Sequence, residues 1–128
     1  MERAKPGRGN LLNPDCPSRH VVDVIGDRWT LIVVTVLAEQ RLRFNDLARS
    51  SKGISYKMLT QTLRRLEREG LVERTVYDTT PPKVAYELTA LGRHLIPLLG
   101  AIREWAEINL PKMNRARERY DRTKPSPL

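Results

Sequence analysis

Lys57, Gln61, Arg64 and Arg68 recur at a helical spacing, and Tyr56 and Thr60 stand beside them. Long hydrogen-bonding and cationic side chains of this kind read base edges and hold phosphates. With Leu59 at zero and about 100° per residue, Leu63 and Leu66 fall within roughly 40° of it, while Lys57, Gln61, Arg64 and Arg68 fall roughly 140–200° away. One side of the segment packs and the other is cationic. By itself such a face is also compatible with plain solvation, with Arg64, Arg65 and Arg68 partly paired to Glu67 and Glu69, so the surrounding elements have to decide.

Those elements read as a DNA-docking frame. Ser55 suits a helix cap and Gly70 a helix end. A short helix over 44–49, with Phe44, Leu47 and Ala48 inward, comes before it, separated by the turn Ser50-Ser51-Lys52-Gly53. Residues 71–77 and 83–88 have strand composition and are joined by Asp78-Thr79-Thr80-Pro81-Pro82, which makes a hairpin with a stiff tip. Upstream, Pro17 opens a helix that Gly26 stops, and residues 29–39 are apolar nearly all round, as a buried spine would be. Downstream, Thr89 caps a final amphipathic helix carrying Leu91, Leu95, Leu98, Leu99, Ile102 and Trp105, kinked at Pro97 and ending near Pro111.

The expected fold is therefore mainly α with a small β-hairpin (α+β): a winged helix-turn-helix with added N- and C-terminal helices. Its organisation reads as a flexible arm over 1–15, the domain over 16–110, and a mobile basic tail over 111–128. In this frame Tyr56, Lys57, Thr60 and Gln61 fall to base edges or the closest phosphates, and Arg64 to a flanking strand. The helix start at Ser55 favours a phosphate, while Arg74 and Lys83 would let the wing touch backbone or minor groove.

Charge agrees with a polyanionic partner. The 128 residues carry 23 Lys and Arg against 15 Asp and Glu, a net +8. Ten basic and five acidic residues lie in 41–83, and six basic and two acidic beyond 110, whereas 17–40 and 84–110 are each slightly acidic. No stretch approaches the roughly 18 apolar residues of a membrane span, and the start lacks a secretory signal's apolar segment, so a cytoplasmic protein is expected. Catalysis is not: His20 and His94 are isolated, there is no Cys/His cluster with zinc spacing and no Gly-rich phosphate loop, so neither metal nor cofactor is implied. The rival reading with the same fold is a winged helix whose basic face meets an acidic protein.

In order along the chain, Cys16-Pro17, Ile25-Gly26-Asp27-Arg28-Trp29-Thr30, Arg43-Phe44-Asn45-Asp46-Leu47, Gly53-Ile54-Ser55, Leu59-Thr60-Gln61, Gly70-Leu71-Val72, Pro81-Pro82-Lys83-Val84-Ala85-Tyr86 and Leu88-Thr89 resemble the HxlR-type family of bacterial winged-helix transcription regulators. The resemblance covers about three quarters of the chain. It implies a homodimer built through the first and last helices, presenting two reading helices to a pseudo-palindromic operator on double-stranded DNA. Leu95, Leu98, Ile102 and Trp105 suit the dimer interface, because they exceed what so small a domain needs for its own core. The basic tail and the N-terminal arm depart from the family pattern.

Some members resembling this chain sense oxidants or electrophiles through a cysteine where Cys16 stands. Cys16 precedes Pro17 at a helix start near Arg19 and His20, a setting that favours a thiolate, although a free cysteine is commonly just a small buried hydrophobe. With one cysteine in the chain, reversible oxidation requires a disulfide between subunits, a small-thiol adduct or alkylation. The sequence names no small-molecule effector.

Overall fold

The structure, a computed structural model, describes residues 10–123. Pro17 opens α1 (Pro17–Ile25), where its missing N–H removes no helical bond, and Gly26 closes it. The Asp27 carboxylate caps α2 (Arg28–Leu37), accepting from the backbone N–H of Trp29 at 2.8 Å and of Thr30 at 3.3 Å. Next come β1 (Leu42–Arg43), α3 (Phe44–Ser50) and α4 (Tyr56–Arg68). Gly53 bends the turn between the two helices at φ +89°, a conformation that side chains disfavour, and the Trp29 ring lies beside it.

Helix α2 is the spine that the all-round apolar run requires: Val33, Val34 and Leu37 are wholly buried. Leu47 of α3 and Leu59, Leu63 and Leu66 of α4 pack into the same core, so the apolar sides of both short helices face inward. Leu71, just before the hairpin's first strand, and Val72, Ala85 and Leu88 of the sheet close this core.

The hairpin forms from β2 (Val72–Tyr77) and β3 (Lys83–Leu88), antiparallel from Val72 opposite Leu88 to Tyr77 opposite Lys83. A third strand, absent from the sequence reading, joins it. β1 pairs with β3, Leu42 facing Tyr86 and Arg43 facing Ala85, to give the order β1-β3-β2. Two residues hold no periodicity, so the strand is visible only through its partner.

Helix α4 ends at a left-handed Gly70, φ +80°, and the Leu71 N–H returns to the Leu66 carbonyl at 2.9 Å. Thr89 ties this end to the next helix: its hydroxyl donates to the Gly70 carbonyl at 2.6 Å and accepts from the Gly92 N–H at 3.0 Å. That knot starts α5 (Ala90–Arg93).

The chain breaks helix at His94 and resumes as α6 (Leu95–Thr123), leaving Pro97 in the first turn, where its lack of an N–H does no harm. The break expected at Pro97 is thus real but falls three residues earlier. The expected end at Pro111 is not: α6 passes through Pro111 to Thr123. Good helix formers follow the proline, and on an exposed helix the one carbonyl it leaves unbonded, that of Glu107, can be met by water. Residues 111–123 are therefore helix, and 124–128 lie outside the described residues. Of the expected arm, 1–9 also lie outside them. Residues 10–15 form side-chain-supported turns: the Asn10 and Asn13 carboxamides accept from the Leu12 and Asp15 N–H groups, and Arg19 donates to the Leu11 carbonyl at 3.0 Å. The described chain divides between Ile96 and Pro97 into two compact units.

Two glycines predict opposite responses. A Cβ on Gly92 would collide with the Leu71 carbonyl, whereas one on Gly100 meets nothing within 4 Å. Gly92→Ala should lower stability by about 1–3 kcal/mol or more. Gly100→Ala should raise it by about 0.5–1 kcal/mol. Thermal melts of the two variants beside the wild type check both signs.

Candidate nucleic-acid interface

Helix α4 carries the sequence-predicted face, and its rotation is fixed by the buried Leu59, Leu63 and Leu66. Lys57, Gln61, Arg64 and Arg68 consequently stand exposed, and Thr60 is half-buried on the flank. Ser55 sits at the cap, where its hydroxyl oxygen accepts from the Met58 N–H at 3.1 Å. The helix start is thus locked by Ser55 itself, and what it offers an anion is the remaining free backbone N–H groups.

Tyr56 is 63% exposed but not free to swing. Its ring meets Phe44 edge to face at 5.4 Å, and its hydroxyl donates to the Asn45 side chain at 3.4 Å. Phe44 in turn leans on Tyr86 of β3 at 6.5 Å. This aromatic chain joins the first helix of the pair, the second helix and the wing, and fixes Tyr56 at the rim of the face. Phe44 and Asn45 were read from sequence only as packing and motif residues; nothing in their spacing discloses the contact with Tyr56.

The cations of α4 divide into two groups. Arg65 is drawn to the rear, its guanidinium 3.1 Å from the Asp27 carboxylate, so one carboxyl group caps α2 with one oxygen and holds α4 with the other. A second rear link joins His20 of α1 to Glu69 at the end of α4, 3.0 Å apart. Lys57, Arg64 and Arg68 make no salt bridge among the described residues. The internal pairing expected of a plain surface helix is thus absent among the described residues: of the three arginines only Arg65 has a carboxylate partner, Asp27, while Glu67 faces Arg74 and Glu69 faces His20.

The wing side is mixed. Arg74 lies 3.5 Å from Glu67, which offsets its charge, and the two help line a concavity of about 370 Å³ with Thr60, Arg64 and Tyr86. Burial pushes the Tyr86 phenol above its ordinary value, so it stays a neutral hydrogen-bond donor there. Lys83 is exposed at the start of β3 and shares a second concavity, about 460 Å³, with Arg43 and Arg49. In the sequence Arg43 stands out only as a motif residue and Arg49 not as a binding residue; they become neighbours of Lys83 through the β1–β3 pairing and the fold of α3 against it. Asp46 pairs with Arg49.

The other predicted residues lie on the terminal elements. Leu98, Ile102 and Trp105 are 44, 48 and 59% exposed, Leu95 is half-buried, and no residue of α6 is buried. On α1, Val21 and Val22 are exposed as well. Cys16, half-buried, is the cap residue of α1, and the Arg19 and Ser18 backbone N–H groups hold its thiol below the ordinary value against a smaller opposing effect of burial. No group of three or more His, Cys, Asp or Glu able to hold a metal occurs among the described residues, and none of their helices is long and apolar enough to cross a membrane.

A helix-turn-helix followed by a two-stranded wing defines the class, and the comparisons place the chain within it. Residues 24–114 match the HxlR-like helix-turn-helix family, and the chain belongs to that family. It is 40% identical over 110 residues to the HTH-type transcriptional regulator YtfH of Escherichia coli, covering 86% of this chain and 87% of that one. Among solved structures it resembles the transcriptional regulator ytfH of Salmonella typhimurium, with 40% identity, a TM-score of 0.78, and coverage of 87% and 99% of the two chains. It also resembles the redox regulator HypR in its oxidised form, with 42% identity, a TM-score of 0.66, and coverage of 73% and 97%. The chain is a helix-turn-helix transcriptional regulator, not an enzyme.

Asp27 supports a pH test. Burial alone would raise its carboxyl, but the Arg65 guanidinium and the Thr30 and Trp29 N–H groups outweigh it and hold the carboxyl below the ordinary value. A depressed carboxyl contributes stability that is full above its unfolded value of about 3.9 and is lost as pH falls through the folded value. Asp27→Asn keeps a good cap but loses the charge. Its melting temperature should lie below the wild type's at pH 7, and the gap should close on acidification below about pH 4.

Proposed function

We propose that this regulator binds double-stranded DNA as a homodimer on a pseudo-palindromic operator, with α4 in the major groove. The observation that carries the reading is the α4 face itself: Lys57, Gln61, Arg64 and Arg68 are exposed and lack a salt bridge among the described residues, while Arg65 is held behind. Residues near a reading helix's start penetrate deepest, so Tyr56, Lys57, Thr60 and Gln61 meet base edges or the nearest phosphates and Arg64 a flanking strand. The N–H groups that follow Ser55 take a phosphate. Lys83 reaches backbone or minor groove, and Arg74, half-neutralised by Glu67, contributes less than its charge suggests.

Dimerisation is supported by the 29-residue helix α6, which buries no residue and exposes Leu98, Ile102 and Trp105 on one side. A second copy meeting Leu95, Leu98, Ile102 and Trp105 would remove that surface from water. It would also supply a second reading helix, which half-sites about 34 Å apart require. Isolated protomers would bind weakly, because the second half-site is then no longer an intramolecular event.

Response to oxidants or electrophiles through Cys16 is the regulatory part of the same reading. It is supported by the lowered thiol at the α1 cap and by similarity to HypR, which is described as a redox regulator.

Three substitutions separate the roles. Gln61→Ala should change which fragments are selected from a genomic pool, whereas Lys83→Ala should weaken binding to all fragments and flatten the salt dependence by about one charge. Unaltered binding in both variants would rule out the docking orientation. Diamide or a quinone should change the operator affinity of the wild type but not of Cys16→Ser; equal behaviour of the two proteins would dismiss the switch.

A further inference from the structure

The last third of α6 has a charge pattern that the α4 interface does not use. Lys112, Arg115, Arg119 and Arg122 follow one another at intervals of three, four and three residues, which places them within an arc of about 80° on the helix. Arg117, Glu118 and Asp121 fall outside that arc. All four ridge residues are exposed, and among the described residues none of them makes a salt bridge. Most of the ridge lies past residue 114, where the match to the family ends.

Like charges three and four residues apart destabilise a helix instead of supporting it. The helix dipole favours cations only within the last turn, which accounts for Arg122 and not for Lys112 or Arg115. Glu118 stands three residues after Arg115 and four before Arg122 but makes no salt bridge with either among the described residues, so pairing within α6 does not account for four cations on one side. A polyanion does. The ridge rises about 15 Å over the ten residue steps from Lys112 to Arg122, roughly the axial length of four phosphates on one DNA strand.

We infer that Lys112, Arg115, Arg119 and Arg122 form a second DNA contact, one that binds the phosphate backbone without reading sequence. The inference rests on the DNA-binding reading above and adds a surface to it. Four guanidinium and ammonium groups on one side, with no base-reading Gln, Asn or Thr among them, hold phosphates and carry no sequence information. Their contribution is to non-specific affinity and to its dependence on salt.

The test compares the full-length wild type with the variant Lys112→Gln/Arg115→Gln/Arg119→Gln/Arg122→Gln, and with the control Arg103→Gln/Arg117→Gln, whose charges lie on the opposite side of α6. Each is titrated at several salt concentrations against a random-sequence duplex and against a fragment selected by the wild type. Glutamine keeps helix propensity, and circular dichroism verifies that the helix is retained. The expected result is a fall of about 2–4 in the salt slope per protomer for the ridge variant on both duplexes, and at least a tenfold loss of affinity at low salt. The fragment preference should be unchanged, and the control should fall by less than one.

A ridge variant with the wild-type slope, or a control that falls as far, overturns the inference while leaving the DNA-binding reading intact. The same holds if polyglutamate competes with the ridge while the DNA slope is unmoved, which would assign the ridge to an acidic protein. A wild type that binds neither duplex at low salt removes the DNA-binding reading itself.

Discussion

The rotation of α4 about its own axis is the constraint on which the rest depends. Leu59, Leu63 and Leu66 are essentially inaccessible to solvent, and together they admit one angular setting. A shift by one residue would turn the helix about 100°, drive Lys57 and Arg64 toward the core and expose the leucines. Burial of each leucine is worth about 1.5–3 kcal/mol, so the packing that stabilises the domain also aims its polar face.

Two rear links and one front link refine that setting. Behind, Asp27 and His20 hold Arg65 and Glu69, both from the α1–α2 region. In front, the Phe44 ring stands between Tyr56 and Tyr86 and so relates both helices of the motif to the wing. These surface contacts are individually modest. Their value lies in where they act: each attaches α4 to a different neighbour, so tilting the helix breaks at least one of them. Because Asp27 also caps α2, one carboxylate ties the start of the spine to the rear of α4.

Charge is sorted by the same architecture. Arg65, Arg74 and Arg41 each pair with a carboxylate, from Asp27, Glu67 and Glu87 respectively, while Lys57, Arg64, Arg68 and Lys83 make no salt bridge among the described residues. A net charge of +8 is therefore a poor measure of what a polyanion meets. The effective surface is the smaller set of cations left over once the fold has made its own pairs, and the exposed ridge of α6 belongs to that set.

The helices, the hairpin and the polar face of α4 were legible because each rests on local chemistry. The leucine spacing fixes an apolar side, Ser55 and Gly70 mark ends, and the Pro-containing loop separates two strand-like runs. The misreadings have equally local causes. Pro111 looked like a terminus because a proline removes one backbone bond, yet an exposed helix of good formers tolerates that loss. Strand β1 was invisible because two residues carry no period and exist as a strand only beside β3.

Sequence by itself determined which residues are cationic, which are apolar and at what angular spacing they recur, since those properties depend on covalent identity and helical geometry alone. Tertiary structure decided which cations remain unpaired. Asp27 and Arg65 are 38 positions apart, and His20 and Glu69 are 49 apart, so no local pattern couples them. Only the folded chain brings such groups within about 3 Å, the range in which charge-assisted hydrogen bonds act.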